Sequence, residues 1–253
     1  MDGAISLQAV VMSAADPSSK PPRLAEALAK ARNSAWLARQ PPEFAEQLLS
    51  HASLCHYRRG QVITGANEEA PDLHFLLRGA VGIWVPRLTG EIVLTHVLSA
   101  PQWFGEIGAL SGQNTNMEYH AATACSVLYV PRASVVSLDA AKPEYRQAFL
   151  ELVGRSMRAT MEMAGDFVGH DAEKRVISKL LALSGSPDKV RNPAEGHVLP
   201  VSQTDLAFIS SVSRPTINAV LAKLEKAGLV KPGYRRIIVL NRPGLVAALR
   251  DEL

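Results

Sequence analysis

Arg214 and Asn218 lie four residues apart in a stretch where Ile217, Val220, Leu221 and Leu224 recur at helical steps. The four apolar residues define one stripe of a helix, which leaves Arg214, Pro215, Asn218, Ala219, Ala222 and Lys223 on the opposite face. A helix whose outward N-terminal face bears Arg and Asn can enter the DNA major groove. The flanking residues fit such a helix. Ser213 is placed to cap it, and Pro215 falls in the first turn, where a missing N–H costs nothing. Ser202 with Asp205 three residues on resembles a capping box opening an earlier short helix that begins at Gln203 and Thr204. Gly228 ends the second helix, and the two runs around Pro232-Gly233-Tyr234-Arg235-Arg236 read as a β-hairpin with a basic tip. The competing reading is a small helical bundle with incidental charges.

Other chemistries leave little trace. There is no P-loop, no GxSxG, no HExxH and no dinucleotide-binding glycine pattern, so an enzyme is not expected. The two cysteines, Cys55 and Cys125, are too few and too distant for a disulfide framework, a metal site or an Fe–S cluster. The seven histidines leave haem open, but no pair has diagnostic spacing. No apolar run spans a bilayer and no basic, apolar leader opens the chain, so a cytoplasmic protein is expected. The net charge is only +3, yet from Asp171 onward thirteen Lys or Arg stand against eight Asp or Glu. The remainder holds fourteen against sixteen. That asymmetry points toward a polyanion at the C-terminal end.

These residues need elements to position them. Residues 1–20 have no sustained period and read as an arm. A helix is expected from about Arg23 to Leu49, broken near Pro41-Pro42. Between His56 and Leu138, short β-rich runs alternate with glycine turns, as in a compact all-β roll. From Tyr145 to His170, Phe149, Leu152, Val153, Ser156, Thr160, Met163 and Phe167 recur at three- and four-residue steps. This long helix either packs on its own roll or pairs with a symmetry mate, and pairing is the expectation.

The string VSQTDLAFISSVSRPTINAVLAKLEKAGLV resembles the helix-turn-helix of the cyclic-AMP-receptor and fumarate-nitrate-regulator (Crp–Fnr) superfamily. WFGEIGALSG, ATACSVLYV, YRRGQVI and LHFLLRGAVGIW resemble that superfamily's β-roll sensor core. The similarity covers roughly His56 to Leu240. It implies an α+β chain: an arm and helix start (1–35), a jelly-roll-like sensor (36–142), a dimerisation helix (143–170) and a winged helix-turn-helix (171–253). It also implies a homodimeric transcription regulator whose partners are double-stranded DNA at two-fold-related half-sites, RNA polymerase and a small-molecule effector. By the same resemblance Arg214 is the guanine reader, worth about 1–3 kcal/mol of discrimination. Gln203, Thr204, Ser213 and Thr216 sit at helix N-termini suited to phosphate.

Three departures are notable. Pro215 stands where a base-reading Glu is common, Ala219 replaces a second arginine, and Ser211 stands where a turn glycine is usual and positive φ is required. In the sensor, Gly105, Glu106 and Ile107 match the phosphate-binding cassette. However, the position of its phosphate-pairing arginine falls on Thr115 or Asn116, neither of which carries charge. Thr160 matches a purine-contacting Thr, with Met161 beside it. The resemblance therefore implies a sensor diverged from cAMP, with no cofactor assigned. A cAMP-gated regulator and a winged-helix protein-interaction module are the alternatives.

Overall fold

The computed structural model describes residues 22–66, 71–113, 116–184 and 196–250; the expected arm at residues 1–20 lies outside them. The helix expected from Arg23 to Leu49 is in three pieces: α1 (Leu24–Arg32), a 3₁₀ turn at Leu37–Arg39, and α2 (Pro42–Leu49). The break comes earlier than the prolines. Asn33 closes α1 because Trp36 must turn inward, where its Nε1 donates to the Ala148 carbonyl at 2.8 Å. The Trp36 ring lies edge-on to Trp103 and Phe44, with centroids 5.1 and 6.0 Å away.

Eight strands follow: β1 (Ser53–Tyr57), β2 (Val62–Thr64), β3 (Leu73–Arg78), β4 (Ala80–Pro86), β5 (Ile92–Ser99), β6 (Gln102–Phe104), β7 (Glu118–Ala121) and β8 (Cys125–Val130). They form two four-stranded antiparallel sheets, ordered β1-β8-β3-β6 and β2-β7-β4-β5. Leu76, Val81, Phe104, Tyr119 and Val127 pack between the sheets. β3 is buried from Leu73 to Leu77, hence its near-continuous apolar run. Leu73, Phe75 and Leu77 meet the helices on the outer face, while Leu76 meets the opposite sheet. Helix α3 (Glu106–Ser111) interrupts the strands after β6, and α4 (Arg132–Ala141) leads out of the roll.

Helix α5 (Pro143–Gly169) has 27 residues, about 40 Å of rod at 1.5 Å per residue. Its N-terminal half lies on its own roll, with Tyr145, Ala148, Phe149 and Leu152 buried in one cluster with Trp36 and Phe44. This corrects the expected pairing seam: Phe149 and Leu152 are consumed by the chain's own core. The exposed apolar stripe runs instead through Leu150, Met157 and Met161, at heptad-compatible spacing. Val153 and Ser156 are half-buried and Thr160 is exposed, while the Met163 and Phe167 side chains lie outside the described residues.

The chain leaves α5 at His170, whose extended backbone separates it from α6 (Ala172–Ser184). β9 (His197–Leu199), α7 (Gln203–Ile209), α8 (Arg214–Lys226), β10 (Val230–Gly233), β11 (Arg236–Val239) and α9 (Arg242–Leu249) complete the described chain. The three strands pair antiparallel in the order β10-β11-β9. Val176, Leu180, Leu206, Ile217, Leu221 and Ile237 form the core, which continues onto Ala80, Leu94 and Val97 of the roll. The architecture is the α+β arrangement of roll, long helix and winged helix. Among the described residues no helix is long and apolar enough to cross a membrane.

Candidate nucleic-acid interface and sensor cassette

The reading helix is built from local hydrogen bonds. Asp205 N–H donates to Ser202 Oγ at 3.0 Å and Ser202 N–H donates to Asp205 Oδ2 at 3.1 Å, closing the expected capping box at α7. Ser211 then adopts φ +51°, the left-handed value its position demanded, and its N–H donates to the Phe208 carbonyl. Ser213 caps α8 by accepting from Thr216 N–H at 3.3 Å, with Pro215 in the first turn. Ile217, Val220, Leu221 and Leu224 are buried, so the other face of α8 points to solvent.

On that face Arg214, Pro215 and Asn218 are exposed. Arg214 Nη2 donates to Thr204 Oγ1 at 3.2 Å, which ties the guanidinium to α7 and leaves its other donors available. This link between two expected contact residues was invisible in the sequence. Gln203 and Thr216 are half-buried and Ser213 is exposed, its Oγ 2.7 Å from Thr216 Oγ1.

Lys223 departs from expectation. Its ammonium lies 2.7 and 2.9 Å from the two carboxylate oxygens of Glu173 on α6, so its charge is largely answered within the chain. At the wing, Arg236 is exposed. Arg235 takes φ +54° and lies over the Tyr234 ring at 5.5 Å. The wing tip leans toward the roll: burial first, then the Arg235 charge, hold the Arg59 guanidinium below its ordinary pKa, with Asp205 opposing. Arg87 lies 6.0 Å over Phe208, a further contact between roll and winged helix.

The cassette is built differently. β6 ends at Gly105, whose φ of +86° turns the chain into α3. A Cβ there would fall 2.8 Å from the Asp72 carbonyl and 2.9 Å from His74 Nδ1. Glu106 is 5% exposed. Desolvation raises its pKa, opposed by hydrogen bonds from Ser156 and from its own backbone. Ser156, expected at the pairing seam, thus reaches the cassette instead. Thr160 is turned the other way, its Oγ1 donating to the Ser156 carbonyl at 3.0 Å, and Met161 is 60% exposed. Ile107 is 48% exposed and Asn116 is exposed with φ +54°, while Thr115 lies outside the described residues.

Behind the cassette, His74 stacks on Phe104 with centroids 4.8 Å apart and meets the edge of Tyr129 at 4.5 Å. Burial pushes its pKa down to about 3, only partly offset by the Asp72 backbone. Among the described residues no cluster of His, Cys, Asp and Glu is arranged to hold a metal ion.

Comparison with known proteins covers both regions. The family model of the cyclic nucleotide-binding domain matches residues 54–141, and that of the Crp-like helix-turn-helix domain matches 174–248. The "cAMP-activated global transcriptional regulator CRP" of Salmonella typhimurium is 24% identical over 195 residues, 77% of this chain and 92% of that protein. The "cAMP-activated global transcriptional regulator Vfr" of Pseudomonas aeruginosa is 25% identical over 200 residues, 78% of this chain and 93% of that protein. Among solved structures, FixK2 of Bradyrhizobium japonicum shares the fold with a TM-score of 0.65 at 20% identity, covering 77% of this chain and 96% of its own. The c-di-GMP-responsive regulator CLP of Xanthomonas campestris does so with a TM-score of 0.60 at 20% identity, covering 79% and 99%. With both family domains in order and regulators of this kind as its relatives, the chain belongs to the Crp–Fnr superfamily of DNA-binding transcription regulators.

Proposed function

We propose that this regulator works as a homodimer, reads two-fold-related half-sites with Arg214, and carries a sensor roll that no longer holds cAMP in the usual way. The observation that carries the reading is the α8 N-terminus. Arg214 stands exposed there, held by Thr204, on a helix whose other face is buried in the winged-helix core. A guanidinium so presented fits the O6 and N7 acceptors of guanine. Asn218 supplies a second polar group on the same face, and Pro215 and Ala219 leave the groove side short. Gln203, Thr204, Ser213, Thr216 and Arg236 are proposed phosphate contacts. Lys223 contributes less, because Glu173 already neutralises it. Two such helices are brought together by pairing along Leu150, Met157 and Met161, and RNA polymerase is the proposed downstream partner.

Arg214→Ala should lower operator affinity by roughly tenfold to a hundredfold, corresponding to about 1–3 kcal/mol, and non-operator affinity by much less. Titration of both DNAs at one salt concentration reads this out. Equal losses would reduce Arg214 to a phosphate contact.

For the sensor, two observations support divergence: Asn116, one of the two positions expected for the phosphate-pairing arginine, is exposed and uncharged, and the buried Glu106 carboxyl has its pKa raised chiefly by desolvation. The relatives named as cAMP-activated favour the second reading, a cAMP-gated regulator. Calorimetry with cAMP separates the two: micromolar binding that raises operator affinity would establish gating. A winged helix that contacts protein rather than DNA would be favoured by burial or carboxylate pairing of Arg214, Lys223 and Arg236; Lys223 is paired with Glu173, whereas Arg214 and Arg236 are exposed and the partner of Arg214 is a hydroxyl.

A further inference from the structure

Three guanidinium groups line one cleft beside α5, and none of them belongs to the reading helix or the cassette. The cleft measures about 320 Å³ and is lined by Arg39 from the 3₁₀ turn and by Glu151, Arg155 and Arg158 from α5. Elsewhere on the surface, Arg32, Arg87 and Arg146 each pair with a carboxylate, namely Glu46, Glu91 and Asp139. Among the described residues the three cleft arginines form no such pair. Glu151 lines the cleft, but its Oε2 accepts from Gln40 Nε2 at 3.0 Å. Arg155 donates Nη1 to the Ala35 carbonyl at 3.3 Å, which fixes the guanidinium at the cleft wall. With one carboxylate against three arginines, the cleft carries a surplus of two positive charges.

That surplus is held against a cost. Burial first, then the charges of Arg39 and Arg158, lower the pKa of Arg155, with Glu151 opposing. An anion in the cleft would relieve the repulsion and meet planar two-donor forks that match phosphoryl oxygens. The cleft volume falls at the lower end of small-molecule sites.

We propose that this cleft binds a small molecule bearing two adjacent phosphoryl groups, through Arg39, Arg155 and Arg158. The shared chemistry is a pyrophosphate unit, whether free or esterified to a nucleoside. Calorimetry on the full chain, with inorganic pyrophosphate and a nucleoside 5′-diphosphate as separate probes and sulfate as the single-group control, tests it. The expected result is saturable binding of pyrophosphate, weakened at least tenfold by Arg155→Gln combined with Arg158→Gln. Tighter binding of the nucleoside diphosphate would assign the esterified source, and equal binding the free one.

Arg39→Gln is the second variant, because Arg155 also braces Ala35 and its loss could disturb folding; it should weaken binding with an unchanged melting temperature. No heat with either probe, sulfate binding as tight as pyrophosphate, or affinity unchanged in the variants would each overturn the proposal. So would competition by DNA for the same three arginines. Operator binding without added anion should survive Arg39→Gln, so failure here is distinguishable from failure of the DNA-reading proposal.

Discussion

Two helix N-termini carry the chain's two sets of recognition candidates, and they are built in opposite senses. At α8 the cap is a side chain, Ser213, and the first turn presents Arg214 and Pro215 to solvent. At α3 the cap position is Gly105, with no side-chain cap, and the first residue is a buried acid. The α8 terminus offers charge outward to a partner that arrives later. The α3 terminus turns its acid inward, where desolvation raises the Glu106 pKa against hydrogen bonds from Ser156 and its own backbone. A helix N-terminus is an anion site only where its donors remain open. The calorimetry with cAMP therefore tests the α3 terminus as the titration with operator DNA tests the α8 terminus.

The comparison breaks or sharpens under four further tests. The largest effect should come from acid, because two buried histidines are held neutral, His74 behind the cassette and His96 beside Lys179 of α6. His74, with its pKa held down at about 3, and His96, held at about 4 by burial and the Lys179 charge, are neutral in the folded chain. In the unfolded chain both take up protons near pH 6.5, so the unfolded state binds more protons below that pH. Stability should fall on acidification by roughly 1.4 kcal/mol per pH unit per histidine, for His96 down to about pH 4 and for His74 to about pH 3. Denaturant titrations at pH 7, 6 and 5 read this out, and His74→Phe should flatten the profile. A profile left unchanged by His74→Phe would show the cassette side to be wet.

Gly105→Ala should come next, costing about 2–3 kcal/mol, since its Cβ would meet the Asp72 carbonyl and His74 at a left-handed φ. On the reading side the reverse substitution should help. Ser211→Gly removes a left-handed penalty in the open turn and should add roughly 1 kcal/mol to the unfolding free energy. The last test is Glu106→Gln. A folded-state pKa raised by desolvation means the acid contributes stability at low pH and loses it as pH rises, so the amide, with no charge to bury, should be more stable than the parent chain near pH 7. A destabilisation of several kcal/mol would instead reveal an unseen cation facing Glu106.

What was legible in the sequence was local. The Ser202–Asp205 box, the Ser213 cap, the positive φ of Ser211 and the buried stripe of α8 depend on residues within four positions of one another, and all are present. The order of roll, long helix and winged helix followed from changes of period and from two blocks of family-like strings. What failed depended on contacts across the chain. On α5 two apolar stripes overlap, and nothing within the helix says that Phe149 turns inward while Leu150 stays out. Trp36 and Phe44, more than a hundred residues earlier, decide it by filling that side. The same holds for Ser156 meeting Glu106, Thr204 holding Arg214, and Glu173 taking Lys223 away from the outward face.

The contact between Ser156 and Glu106 sits about midway along α5, thirteen residues before the helix ends at Gly169. Those thirteen residues form a lever arm of about 20 Å. A stiff arm turns angle into travel: tilting it by about 10° at Ser156 would carry its far end through roughly 3 Å, close to the rise of one base pair. The fulcrum lies where the buried carboxyl meets the helix, so a small change of angle there becomes travel at Gly169, the point from which the chain enters α6.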